Sequence, residues 1–243
     1  YHGWQLQKDL PTIQGEVEKA LQRILVSPTR VYGAGRTDAG VHAIGQVAHF
    51  VTQWSRSSAE LMRAVNAVLP KDIVVRELHP VEPDFHARHS AHCKTYKYHI
   101  LNRPIRSAIQ RAYSWHLPNE LDINAMEAAS GHLLGSHDFR TFGQPTDGTP
   151  STVREMLRAH WVLEQPDGRL TFTITGTGFL RYMVRSIVGT LVLVGRGAIS
   201  ESDFMRFLAS CDRSLAGPTA PPHGLFLESV EYSRPIEGRC HGV

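Results

Sequence analysis

The stretch TVREMLRAHWVLEQPDGRLTFTITG, residues 152–176, limits the architecture more than any other segment. Two β-prone runs flank Pro166, Asp167 and Gly168, which together preset φ, bond locally and allow positive φ, as a tight turn requires. Strands joined this closely must pair antiparallel. KTYKYHILN adds a strand on which Tyr96, Tyr98 and Ile100 alternate onto one face. GQVAHFVTQ, DIVVREL and DFHARHSA read as further strands, and GLFLESVEY as a closing one.

Helical spacing appears between these runs. Ile13, Val17, Leu21, Ile24 and Leu25 mark one helix, with Pro11 near its start. SAELMRAVNAVLP gives a second, capped by Ser57 or Ser58, and DINAMEAASGHLLG a third, capped by Asp122. GFLRYMVRSIVGTLVLVG and SESDFMRFLAS supply two more, and the basic segment NRPIRSAIQRAYSW reads as a crossover. The expected class is α+β: a largely antiparallel sheet with helices on one face, in two comparable halves split near residue 105. The halves are 1–105 and 106–243.

The longest apolar run, 187–194, is broken by Gly189 and Thr190 and is too short to span a bilayer. No secretory leader pattern is visible at the start, and the chain opens on Tyr1 rather than methionine, so an upstream start is expected. Cys93, Cys211 and Cys240 are odd in number and lack C-x-x-C spacing, which points away from a disulfide framework or zinc ribbon and towards a cytoplasmic setting. The formal charge is only +3 but uneven: residues 30–111 hold 12 Lys/Arg against 6 Asp/Glu, and residues 112–243 hold 11 against 14. Arginine, at 21 against 5 lysines, suits an anionic partner because its fork matches phosphate.

The loop VYGAGRTDAGVHAIGQVAHF places Asp38 among small residues. A dinucleotide fingerprint would need its third glycine where Asp38 stands, and an acid there repels a pyrophosphate. Gly35 and Gly40 have P-loop spacing, but Val41 and His42 follow in place of Lys-Ser/Thr. The chain has no G-x-S-x-G elbow. His86, His89 and His92 lie beside Cys93, but on a strand a spacing of three sends neighbours to opposite faces, so no metal site is expected there.

The stretch GRTDAGVHAIGQVAHF resembles the signature loop of the tRNA pseudouridine synthase A family. YHGWQLQ, DFHARHSAHCKTYKYHI, GSHDFRTF, GTGFLRYMVRSIVGTLVLVG and TAPPHGLFLESVEY follow that family's motifs in order, over nearly the whole chain. The family's usual strand before YHGWQLQ is absent, and His89 and His92 stand where relatives vary.

The resemblance implies a pseudouridine synthase fold: two ferredoxin-like-derived halves, a mixed sheet and a central RNA-binding cleft, with the Asp loop on the N-terminal half. It implies conversion of uridines at positions 38, 39 and 40 of the tRNA anticodon stem-loop to pseudouridine, by a cytoplasmic homodimer needing no cofactor and no metal. Asp38 and Arg185 become the catalytic candidates and Tyr96 the base-stacking residue, with Tyr98 in the core. Attack of Asp38 on C1′, attack on C6 and removal of a sugar proton all remain open. Arg185, flanked by Val184, Val188 and Val192, is expected to be buried and to pair with Asp38, since an unpartnered buried guanidinium costs about 3–5 kcal/mol. Arg181 is expected to be exposed or RNA-facing. Arg36 is the candidate for holding open the gap left by an everted base. Arg56, Phe85, His86, Ala87, Arg88 and His89 fall at positions used to grip tRNA, and Thr146, Asp147, Gly148, Thr149 and Pro150 align with another contacting segment. Charge alone adds Arg103 and Arg106. A non-catalytic ferredoxin-like RNA-binding module is the alternative, although the chain lacks an RNP1 sequence.

Overall fold

The computed structural model describes residues 1–145 and 151–232. In chain order its elements are α1 (Ile13–Leu25), β1 (Tyr32–Gly33), β2 (His42–Ala43), β3 (Ala48–His49), α2 (Ser58–Val68), β4 (Ala91–Asn102), β5 (Trp115–Leu117), α3 (Ile123–Gly131), β6 (Gly135–Asp138), β7 (Val153–Glu164), β8 (Arg169–Gly176), α4 (Met183–Gly195), α5 (Glu201–Ser210) and β9 (Leu225–Tyr232). They fall into two compact units. One holds Tyr1–Gly40, Gly45–His92 and, among the described residues, 230–232; the other holds Val41–Ile44 and Cys93–Ser229.

The core of the first unit lies between α1 and α2. Thr12 caps α1 through its side chain, and Ser57, rather than Ser58, caps α2 in a reciprocal capping box with Glu60. Trp4, Ala20, Leu21, Val31, Leu61, Val65 and Leu69 are buried together, with Ile73, Val75 and Leu78 packed against them.

The strand expected over 72–78 joins no ladder among the described residues. Asn66 of α2 replaces the missing neighbour: its carbonyl accepts from Val75 N–H (2.8 Å) and its amide donates to Val75 O (2.7 Å). The strand expected over 84–91 is a series of turns up to Ser90, with Ala91 opening β4, because Ser90 N–H bonds back to His86 O (2.9 Å) and His86 N–H to Ser90 Oγ (3.0 Å). GQVAHFVTQ contributes only the two residues of β3, paired antiparallel with β1.

The second unit is built on a seven-stranded sheet, ordered β2-β9-β4-β8-β7-β6 with β5 beside β4. The β4/β8, β7/β8 and β6/β7 pairs are antiparallel, and β2/β9 and β4/β5 are parallel. The 152–176 hairpin forms as its alternation requires, with a register irregularity between Met156 and Arg158. On one side α3 packs on β7, where Trp161 Nε1–H donates to Ser130 Oγ (3.0 Å) and Trp161 N–H to Glu127 Oε2 (2.7 Å). Asp122 caps α3. Strand positions of the opposite parity carry cross-strand polar pairs: Thr95 with Thr175 (2.9 Å), His99 with Thr171 (3.0 Å) and Lys97 with Glu228 (2.8 Å).

The architecture is α+β, with a mixed and mostly antiparallel sheet and, among the described residues, five α-helices. None of those helices is long and apolar enough to cross a membrane. The crossover after β4 contains one 3-10 turn (Gln110–Ala112) and then adds β5.

Candidate active site

In the first unit, the approach to Asp38 is fixed residue by residue. Two polar side chains on α1 template the strand that precedes it. Buried Gln14 donates to Val31 O (3.1 Å), and Glu18 accepts from Val31 N–H (3.0 Å). The chain then enters β1, where the Trp4 indole covers Gly33 so closely that no Cβ would fit. Beyond β1, Ala34 N–H donates to Val47 O (2.7 Å), and the Gln46 amide grips both backbone groups of Gly35, accepting at 3.2 Å and donating at 2.8 Å.

Asp38 itself rests on the N-terminal segment. Trp4 N–H donates to Thr37 O (3.1 Å), and Gly3 lies directly against the main chain of Thr37, Asp38 and Ala39. Gly3 has φ +89°, and a Cβ there would stand 2.6 Å from Thr37 O. Positive φ disfavours a side chain, and the contact is with backbone, which cannot swing aside. Gly3→Ala is therefore expected to lower the stability of this unit by about 2 kcal/mol, read by thermal unfolding. Asp38 is half-buried, and Arg36 on the same loop is exposed.

The turn holding Phe85, His86, Ala87, Arg88 and His89 packs against β1 and β3, the strands from which this loop springs. Tyr32 stacks on His49 (centroids 5.1 Å) and approaches His86 (5.8 Å). Phe85 meets Tyr232 (5.0 Å), whose hydroxyl donates to Ala87 O (2.7 Å). Arg88 and His89 are exposed, Phe85 and His86 half-buried, and Ala87 buried. Because the segment is a turn and not a strand, His86 and His89 do not point to opposite faces; their rings lie 4.3 Å apart. Among the described residues, no group of three His, Cys, Asp or Glu could hold a metal ion. Arg56, ahead of α2, is exposed, 4.0 Å from Glu60.

The second unit supplies Tyr96 and Arg185. Tyr96 sits on β4 opposite Ile174, 8% exposed, with Phe179 edge-on to its ring at 4.9 Å. Tyr98 is fully enclosed as expected, its hydroxyl donating to Pro221 O (2.8 Å). Burial pushes the Tyr98 phenol far above its ordinary range, and the charge of Arg185 pulls against that.

Arg185 lies in the first turn of α4 and is half-buried, not buried, although Val184, Val188 and Val192 beside it are. Its Nε–H donates to Ala220 O (2.7 Å), and Ala220 N–H returns a bond to Arg185 O (3.0 Å), so the guanidinium is tied to the TAPP segment, residues 219–222. Arg181 is exposed, over the Tyr182 ring at 4.6 Å. Arg103 bonds Ile105 O (2.9 Å), and Arg106 is exposed. Thr146, Asp147, Gly148, Thr149 and Pro150 lie outside the described residues.

A family model described as tRNA pseudouridine synthase matches residues 2–90 and 129–233, which include Gly3, the Asp38 loop, the 85–89 turn and Arg185. The chain belongs to the tRNA pseudouridine synthase family. It is 43% identical over 232 residues to tRNA pseudouridine synthase A of Ruminiclostridium cellulolyticum, covering 96% of this chain and 94% of that protein. The namesake from Geobacillus kaustophilus is 45% identical over 234 residues (96% and 90%), and that from Methylococcus capsulatus 43% over 235 (96% and 85%). The alternative of a non-catalytic RNA-binding module finds no support in a family defined by an enzyme.

Sequence reasoning named Asp38 but missed what holds it. Gly3, Trp4, Gln14, Glu18 and Gln46 are the positioning residues. Their signal was a polar residue on the apolar stripe of α1 and a glutamine leading into a β-branched run.

Proposed function

We propose that this chain is an isomerase that converts uridine to pseudouridine in tRNA, at positions 38, 39 and 40 of the anticodon stem-loop, with Asp38 as the reacting carboxylate. What supports this is the held loop: bonds at the main chain of Ala34, Gly35 and Thr37 fix the approach to Asp38, within the segment the family model matches. The product is an isomer of the substrate. The C1′–N1 bond breaks, a C1′–C5 bond forms, C5 gives up a proton and N1 gains one, so the atoms balance without a co-substrate. A carboxylate is a competent nucleophile at such a sugar carbon. Mapping pseudouridine in tRNA incubated with the purified protein tests the reading; unmodified tRNA at every uridine overturns it.

Arg185 is assigned to the same step as Asp38, and Tyr96 to stacking on the everted uracil, worth about 1–3 kcal/mol. Arg185→Lys keeps the charge but loses the planar fork and the Nε–H bond to Ala220. Conversion by this variant is expected to fall about a hundredfold, with tRNA affinity little changed. If the two residues act in one step, the losses in a cycle combining Arg185→Lys with Asp38→Asn will not add.

Arg36, Arg56, Arg88, His89, Phe85 and His86 are assigned to gripping tRNA, with Ala87 as the buried anchor of their turn. Everting the target base costs a few kcal/mol, and Arg36 is assigned to holding the gap. The protein works in the cytoplasm as a homodimer sharing one tRNA, which light scattering with and without tRNA checks.

A further inference from the structure

Two imidazoles serve the 85–90 turn in a way that cationic RNA contacts would not require. His49 Nδ1 accepts from the backbone N–H of Ala87 (3.1 Å). His86 Nδ1 accepts from the N–H of Arg88 (3.1 Å) and, more weakly, of His89 (3.4 Å). An N–H can donate only to a bare ring nitrogen, so both Nδ1 atoms are unprotonated in this arrangement. The rings of His49 and His86 are 4.6 Å apart, and His89 is 4.3 Å from His86.

We propose that His49 is a positioning residue for tRNA binding: as a neutral ring it anchors the 85–90 turn through Ala87 and so sets where Phe85, Arg88 and His89 stand. This rests on the tRNA-gripping role assigned to that turn under the proposed function. His49 does not touch RNA in this scheme. It acts through Ala87, whose carbonyl is held at the same time by the Tyr232 hydroxyl. The turn is thus suspended between β3 and the end of β9 by both backbone groups of one buried residue.

The surroundings favour the neutral form. Burial first, and then the neighbouring His86, hold the His49 imidazole below its ordinary range, against a smaller opposing pull from the Tyr32 backbone. Burial, then His89 and more weakly Arg88, do the same to His86, against its own backbone. The titratable and charged groups facing the pair are therefore Tyr32 from β1 and His89 and Arg88 from the turn, with Tyr232 reaching in from β9.

The sign follows from linkage. A histidine whose folded pKa is depressed supports the fold fully above its unfolded value, near 6.5, and that support is lost as pH falls towards the folded pKa. Acid below about 6.5 should therefore loosen the turn and weaken tRNA binding. Histidines gripping phosphate as cations predict the reverse, tighter binding in acid.

The test compares His49→Phe, which keeps a stacking ring without an acceptor, and His49→Asn, whose carbonyl can accept near the Nδ1 position and does not titrate. KM for tRNA is measured for each from pH 7.5 to 5.5 at fixed ionic strength, since phosphate contacts respond to salt. In the wild type KM rises as pH falls. His49→Phe raises KM at pH 7.5 by about fivefold to tenfold, with a smaller change in kcat. His49→Asn stays within about threefold of wild type at pH 7.5 and loses less on acidification.

Hydrogen exchange at the Ala87 amide gives a readout independent of catalysis. The amide is protected in the wild type, remains so in His49→Asn, and is exposed in His49→Phe. Wild-type binding that tightens in acid, or an Ala87 amide equally protected in all three proteins, overturns the inference. A wild type that makes no pseudouridine while Ala87 protection still depends on residue 49 overturns the proposed function and leaves the anchoring of the turn standing.

Discussion

Asp38→Asn binds tRNA and makes no pseudouridine. The substitution is nearly isosteric, and the chain leading into residue 38 is held at its main-chain atoms: Ala34 N–H to Val47 O, both backbone groups of Gly35 to Gln46, and Thr37 O to Trp4 N–H. The asparagine variant therefore keeps the loop's course. It removes only the anionic oxygen, and a carboxamide neither attacks a sugar carbon nor takes a proton at neutral pH. Removing a reacting group of this kind costs about 10⁴-fold or more in turnover. Affinity depends on phosphate contacts spread over several arginines, so the tRNA Kd stays within about threefold of wild type at matched salt. Single-turnover conversion and filter binding on one preparation separate the two quantities. Conversion within tenfold of wild type would remove Asp38 from the chemistry and leave the loop as scaffolding. Loss of binding together with conversion would make the carboxylate a structural group.

What could be seen in the sequence follows from where each residue's partners lie. The β7–β8 hairpin, the alternation of Tyr96 and Tyr98, and the caps Ser57 and Asp122 are local, each set by neighbours within a few positions, and the structure contains them. The run 72–78 carried a strand's composition and was misread because its hydrogen bonds go to the side chain of Asn66, which no periodicity reports. The run 84–91 departs from its strand composition for a similar reason, its backbone donors being captured by imidazoles. β5 and β6 are short, and their positions come only from the strands they pair with. At the candidate site, Asp38 was named through a motif. Its supports were not, because Gly3, Trp4 and Gln46 meet the loop only after the chain has folded back on itself. The exposure of Arg185 was misjudged because its valine neighbours share its helix while its own contact lies on the TAPP segment, 219–222.

The interruption of the apolar run 187–194 by Gly189 and Thr190 has a physical cause that makes a prediction opposite in sign to helix propensity. A glycine inside a helix is about 1 kcal/mol worse than alanine, so Gly189→Ala in α4 would ordinarily stabilise the protein. Here the main chain of residues 218–220 lies across the helix at this point. A Cβ on Gly189 would overlap the Pro218 carbonyl oxygen and stand 3.3 Å from Ala220 N, both backbone atoms with no rotamer to change. Thr190 completes the seat by accepting from Gly217 N–H (2.9 Å). Four residues earlier, Arg185 exchanges two hydrogen bonds with Ala220. Lifting the segment by the width of a methyl group strains all of these contacts together. The expected loss is about 3 kcal/mol or more, a fall of roughly 6–12 °C in the unfolding temperature of the unit that contains α4. The folded fraction also converts tRNA more slowly, because the acceptor that orients the Arg185 guanidinium has moved, whereas a loss confined to stability would leave turnover per folded molecule unchanged. An unfolding temperature that holds or rises would mean that the segment is not seated on the helix, and the orientation assigned to Arg185 would fall with it.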